Sequence, residues 1–173
     1  MLTRPRLRSA LTALALVLGV LFAPGVGVLG GATDAHAATK LTHAQATARF
    51  SSSGITWSSS GGCSDRNNAT CTSFDQLNLA TAQGAQTLKS ATGCALNITG
   101  GTETGHAGGT YSHWNGYKLD FAKNTCLNNY VTGTFTYIGL RGDGYAQYQA
   151  GSGNVYVNEG NHWDVTYYNC GGC

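Results

Sequence analysis

Residues 134–149 read TFTYIGLRGDGYAQYQ. Two strand-like runs, Thr134–Leu140 and Tyr145–Gln149, lie on either side of Gly142-Asp143-Gly144. Glycines supply the positive φ that tight hairpin turns require, so this stretch predicts an antiparallel hairpin. The pattern continues downstream. Gly151-Ser152-Gly153 is a second turn, followed by runs at Asn154–Val157 and His162–Tyr168. Upstream, Gly116–Phe121 alternates: Tyr117, Leu119 and Phe121 share one face, Lys118 and Asp120 the other. Ala95–Thr99 reads as a further strand. The second half of the chain is therefore expected to be a mostly antiparallel sheet.

The first half has a different period. Thr42–Phe50 fits a short helix, and Ile55–Trp57 a short strand between Ser/Gly-rich loops. The best helix runs from Ser73 to about Ala91. Ser73 with Gln76 three residues on forms a capping box, and Phe74, Leu77, Ala80 and Leu88 supply an apolar stripe. Gly93 stands where a left-handed cap is common. Thr125–Tyr130 reads as a helical turn. Helices first and a sheet after give an α+β class: one small disulfide-bonded domain, with N-terminal helices and a mostly antiparallel sheet. Gly100–Asn115 is a long Gly/Thr/His loop, of the kind that carries function inside a small domain.

The N-terminus has the layout of a secretory signal. Arg4, Arg6 and Arg8 precede an apolar run from Leu11 to Ala23, and Ala35-His36-Ala37 ends the segment on a small-x-small cleavage pattern. The apolar run is well short of the roughly 20 residues needed to span a bilayer. Cleavage after Ala37 leaves residues 38–173 as an exported, extracellular domain. The remaining chain carries seven Lys+Arg and seven Asp+Glu, so it is neutral and sparsely charged. No basic block is present, which argues against nucleic acid and anionic membrane surfaces as partners. A monomer is expected.

All six cysteines lie after residue 37. An even count in an exported chain predicts disulfides, and short loops favour Cys63–Cys71 and Cys170–Cys173, leaving Cys94–Cys126. A zinc site at Cys170-Gly171-Gly172-Cys173 is the competing reading, but no second ligand pair stands nearby.

Two stretches concentrate ligand-type residues. One is Ser112-His113-Trp114-Asn115-Gly116-Tyr117-Lys118-Leu119-Asp120; the other is Glu159-Gly160-Asn161-His162-Trp163. A catalytic zinc takes three protein ligands and keeps one open position. Two imidazoles and a carboxylate suit it: His113, Asp120 and His162. Glu159, three residues before His162, is placed to take a proton from water and pass it to a leaving amine. Asp164 shares the strand face of His162 and is a candidate partner for a ligand imidazole. Ordinary turn hydrogen bonding is the alternative, since each spacing alone recurs by chance.

The first stretch resembles the Ser-x-His-x-x-Gly-x-Ala-x-Asp motif of the zinc D-alanyl-D-alanine peptidases, whose fold is shared with the hedgehog signalling domain. Here Ser112 directly precedes His113. The second stretch resembles that family's Glu-x-x-His-Trp/Phe motif, in the same order and at a similar separation. The resemblance spans Ala95 to Trp163. It implies Zn2+ on His113, Asp120 and His162, Glu159 as general base, and hydrolysis of peptide bonds in peptidoglycan stem peptides, of D,D or L,D type.

Two departures are visible. Lys118 stands where the family has a small residue, so Lys118, with Trp114, is a candidate substrate contact, or Lys118 reaches solvent. The family's upstream arginine, which stabilises the oxyanion, is missing from residues 99–106. His106 is a candidate replacement, a candidate fourth metal ligand, or a loop histidine without a role. His43 is assigned nothing. No nucleophile elbow and no phosphate loop is present.

A second function class remains. Nine tyrosines and three tryptophans with little charge suit a non-catalytic module that binds wall polymers or carbohydrate and carries a structural metal.

Overall fold

The computed structural model describes residues 38–168. The signal-type segment and the Cys170–Cys173 pairing lie outside them. In chain order the elements are β1 (Lys40–Leu41), α1 (His43–Ser52), β2 (Thr56–Trp57), β3 (Leu77–Asn78), α2 (Leu79–Thr92), β4 (Asn97–Gly100), β5 (Lys118–Ala122), α3 (Thr125–Thr134), β6 (Thr136–Leu140), β7 (Ala146–Gln149), β8 (Val155–Glu159) and β9 (His162–Thr166).

Seven strands form one sheet in the order β2-β4-β5-β9-β8-β7-β6. Every pairing in it is antiparallel except β2 with β4. β1 and β3 make a separate two-stranded ribbon. The α+β expectation is met: three helices and a mostly antiparallel sheet in one small domain. No helix among the described residues is long and apolar enough to cross a membrane.

The alternation of β5 divides the sheet into two faces. Leu119 and Phe121 join Trp163, Val165 and Tyr156 in a core that the three helices cover with Phe50, Ala82, Ala85, Leu88, Leu127 and Val131. Burying each large apolar side chain contributes about 1.5–3 kcal/mol. Trp163 also donates from Nε1 to Asn128 Oδ1 at 2.9 Å, so its one polar atom is satisfied. Lys118 and Asp120 point to the other face, which bears the site.

Two helices differ from expectation. α2 starts at Leu79, not Ser73, with Asn78 as its N-cap residue. Gln76 sits at φ 64° and its N–H donates to the Leu41 carbonyl, so the Ser73/Gln76 pair cannot close a capping box. Tertiary bonding overrides the local signal: Ser73 is drawn into contacts with Thr102 and Glu103. A capping box does form at Thr42 and Gln45, which starts α1. α3 is a full helix rather than a turn and takes in Thr134, where the sequence pattern predicts strand. Gly93 caps α2 in the left-handed conformation, as expected.

Cys63–Cys71 and Cys94–Cys126 are both disulfide-bonded. The second ties the segment just after α2 to the first turn of α3.

Candidate metal centre

Strand register assembles the site. β5 and β9 pair with Asp120 opposite Asp164 and Ala122 opposite His162. β8 and β9 form a tight hairpin whose last pair is Glu159 opposite His162. Side chains on paired residues share a face, so Asp120, Asp164, His162 and Glu159 are brought together by hydrogen-bond register alone. His113 and His106 arrive from the long loop between β4 and β5.

That loop is pinned at several points. The Gly116 N–H donates to the His113 carbonyl at 2.8 Å, and Thr81 Oγ1 of α2 donates to the Gly116 carbonyl at 2.8 Å. Gly116 has φ 78°, a conformation that favours glycine, and a Cβ there would strike the Gln76 carbonyl. A Cβ at Gly100 would collide with Oδ2 of Asp120. The bare backbone of β4 therefore makes the space in which the Asp120 carboxylate sits.

A cleft of about 580 Å3 results. His106, His113, Asp120, Glu159, His162 and Asp164 line it, with Lys118, Arg141 and Asp143 at its side. His113 Nδ1 donates to the Gly101 carbonyl at 2.7 Å. A carbonyl only accepts, so Nδ1 carries a proton there and Nε2 is the nitrogen that faces the cleft. Nε2 lies 3.3 Å from Asp120 Oδ1, and His162 Nε2 lies 3.6 Å from the same oxygen. Asp120 is buried, and its Oδ1 has no hydrogen-bond partner. The 3.3 Å contact is close but not aligned as a hydrogen bond.

An orphaned buried carboxylate oxygen is costly unless something else satisfies it. A cation does so. Metal–ligand bonds of 2.0–2.1 Å in a tetrahedral shell place neighbouring donor atoms about 3.3–3.4 Å apart. The separations around Asp120 Oδ1 are of that size, so the residues fit a metal ion. Among the described residues, His106, His113 and Asp120 form a candidate set whose ligand atoms all lie within 4.8 Å of one another. His162 is outside that set; its Nε2 approaches Asp120 Oδ1 and lies 3.1 Å from Glu159 Oε2.

The charges respond to this crowding. Burial would lower the pKa of His113, but the carboxylates of Asp120 and Asp164 outweigh it and raise it to about 10. Burial would raise the Asp164 carboxyl, yet His113 and Lys118 hold it well below the usual range. Asp164 Oδ2 takes Lys118 Nζ at 2.5 Å and Arg141 Nη1 at 3.2 Å. Its Oδ1 is unpartnered, 3.7 Å from His113 Nε2. Asp164 thus stands beside the cleft-facing nitrogen of His113; the outward nitrogen is taken by Gly101. Lys118 is ion-paired along the cleft rather than free in solvent.

Trp114 is set apart. It lies on a neighbouring depression, with the Arg66 guanidinium stacked 3.7 Å from its ring centroid.

Sequence reasoning missed three residues. Arg141 and Asp143 belong to the β6–β7 turn, whose sequence predicts only a turn. The Arg141 guanidinium bonds Asp143 and Glu159, and these raise its pKa further. Its position beside a Gly-Asp-Gly turn, in a chain with little charge, was the only available signal. Glu103 is the third, a buried acid in the long loop.

Comparison with protein-family models, curated proteins and solved structures finds no match.

Proposed function

We propose that this chain is an exported zinc peptidase acting on the stem peptides of bacterial peptidoglycan. One observation carries the reading: the buried, unpartnered Oδ1 of Asp120 is approached by His113 Nε2 and His162 Nε2 at 3.3 and 3.6 Å, with Glu159 against His162. The substrate class rests on the resemblance of the two sequence stretches to the zinc D-alanyl-D-alanine peptidases.

His113, Asp120 and His162 would hold the ion, which supplies a Lewis acid and makes water a competent nucleophile at neutral pH. Glu159 does the proton work. Arg141 holds its Oε1, leaving Oε2 toward the site. Oε2 accepts the proton of the attacking water as the water oxygen bonds to the amide carbon. It returns that proton to the amine nitrogen as the C–N bond breaks. Arg141 and Lys118 place positive charge at the side of the cleft, where a carbonyl oxygen gains charge during attack.

Stoichiometric zinc in the purified protein, lost in His113→Ala, together with release of soluble peptides from peptidoglycan, tests the reading. Absence of zinc after reconstitution would overturn it.

A wall-binding module is the second reading. It is favoured by exposed Tyr111 and Tyr168, whose rings meet at 4.8 Å and edge onto Tyr117 through Tyr111. Retention on insoluble peptidoglycan with chelator present, and no peptide released, would support it over the enzyme.

A further inference from the structure

Glu103 takes no part in the hydrolysis above, yet it is 3 % exposed and fully engaged. Its Oε2 accepts the Ser73 backbone N–H at 2.7 Å. Its two oxygens share the Gly101 N–H at 3.0 and 3.1 Å. Oε1 also meets His106 Nε2 at 3.2 Å. A carboxylate removed from water this far needs several donors. Two of them are backbone groups, which makes Glu103 a fixed acceptor, and the third is an imidazole.

The consequence falls on His106. With the proton on Nε2 directed to Glu103, Nδ1 keeps its lone pair. That nitrogen lies 3.9 Å from Asp120 Oδ2, and the ring stacks on His113 with centroids 3.8 Å apart and planes 17° apart. Asp120 is flanked on both oxygens: His113 and His162 address Oδ1, and His106 addresses Oδ2.

We propose that His106 is a ligand of the metal centre and that Glu103 is the residue that positions it. This rests on the reading that the cleft holds a metal. The same short loop then serves two imidazoles in one way. The Gly101 carbonyl and the Glu103 carboxylate each take the proton-bearing nitrogen, turning the other nitrogen to Asp120. Zinc centres can expand to five ligands, so a fourth protein donor leaves room for one exogenous ligand.

The test titrates metal-free protein with Co2+ and Zn2+, reading the visible absorption of cobalt and the affinity for zinc. His106→Ala is expected to change the cobalt spectrum and to weaken zinc binding, by about 10–100-fold. Glu103→Gln keeps an oxygen for the Ser73 and Gly101 amides and should weaken zinc within the same range. In a His106→Ala background it should add nothing. An unchanged cobalt spectrum in His106→Ala overturns the ligand assignment. An equal loss from Glu103→Gln in both backgrounds overturns the positioning role. Should Glu103→Gln fail to fold, the nitrogen-15 tautomer of His106 in the metal-free wild type decides: a proton on Nε2 supports the arrangement, and one on Nδ1 alone overturns it. Wild type that takes up neither metal sinks the peptidase reading with this one, whereas wild type that binds and a His106→Ala variant that binds identically sink this inference alone.

Discussion

Glu159 and His162 face each other across the end of the β8–β9 hairpin, with Oε2 and Nε2 3.1 Å apart. The Glu-x-x-His spacing is therefore a cross-strand pair and not two residues on one turn of helix. Pairing with β9 fixes the Glu159 backbone directly opposite His162.

Glu159→Gln should retain zinc and lose peptide cleavage. Amide for carboxylate keeps the shape and removes the proton acceptor, at a cost of about 10²–10⁴-fold in rate. Metal analysis beside a muropeptide digest measures both. Normal digestion by the variant would mean that another group is the base.

Chelation should lower the melting temperature, and added zinc should restore it. Asp120 and Asp164 are cross-strand neighbours, both buried, each with an unpartnered oxygen. A cation bound only by the folded chain stabilises it by about 4 kcal/mol at a thousandfold excess over the dissociation constant. Thermal scans with and without chelator read this directly, and identical curves would argue against a metal at this site.

Gly100→Ala tests the space beside Asp120. The new methyl group collides with the carboxylate, so either the strand or Asp120 moves, costing about 1–3 kcal/mol. Zinc affinity should fall with stability. Gly142→Ala, where a Cβ meets nothing within 4 Å, is the control expected to change neither.

The Cys94–Cys126 bond closes a loop of 32 residues. Replacing both cysteines by alanine should cost about 3–4 kcal/mol on the chain-entropy account. Denaturant unfolding of the pair variant measures it. The loss should exceed that for Cys63–Cys71, which spans only 8 residues.

How much was legible is clearest in β5 and α2. The alternation of Tyr117 to Phe121 identified the strand and its two faces, because a half-buried strand imposes a period of two on its sequence. The start of α2 was misread because Ser73 and Gln76 carry a real capping signal that a longer-range partner defeats. Ser73 bonds Glu103 and Thr102, some thirty residues on, and no local pattern encodes that. Arg141 was missed for a similar reason: it lies 18 residues before Glu159 in sequence and meets it in space only because β6–β8 fold back as a meander.

By itself the sequence determined the class of fold, the two disulfides closed within the described residues, and the residues rich in ligand atoms. Each of these depends on local periodicity, loop length or residue chemistry. Only the tertiary structure decided which of those residues meet. Register across β5, β9 and β8 set Asp120 beside Asp164 and Glu159 beside His162. The loop from Gly101 to Gly116 turned His106 and His113 onto them and enlisted Glu103. Register and loop docking are set by the packing of the whole domain, which is why a reading of spacing could name ligand-type residues but not their arrangement.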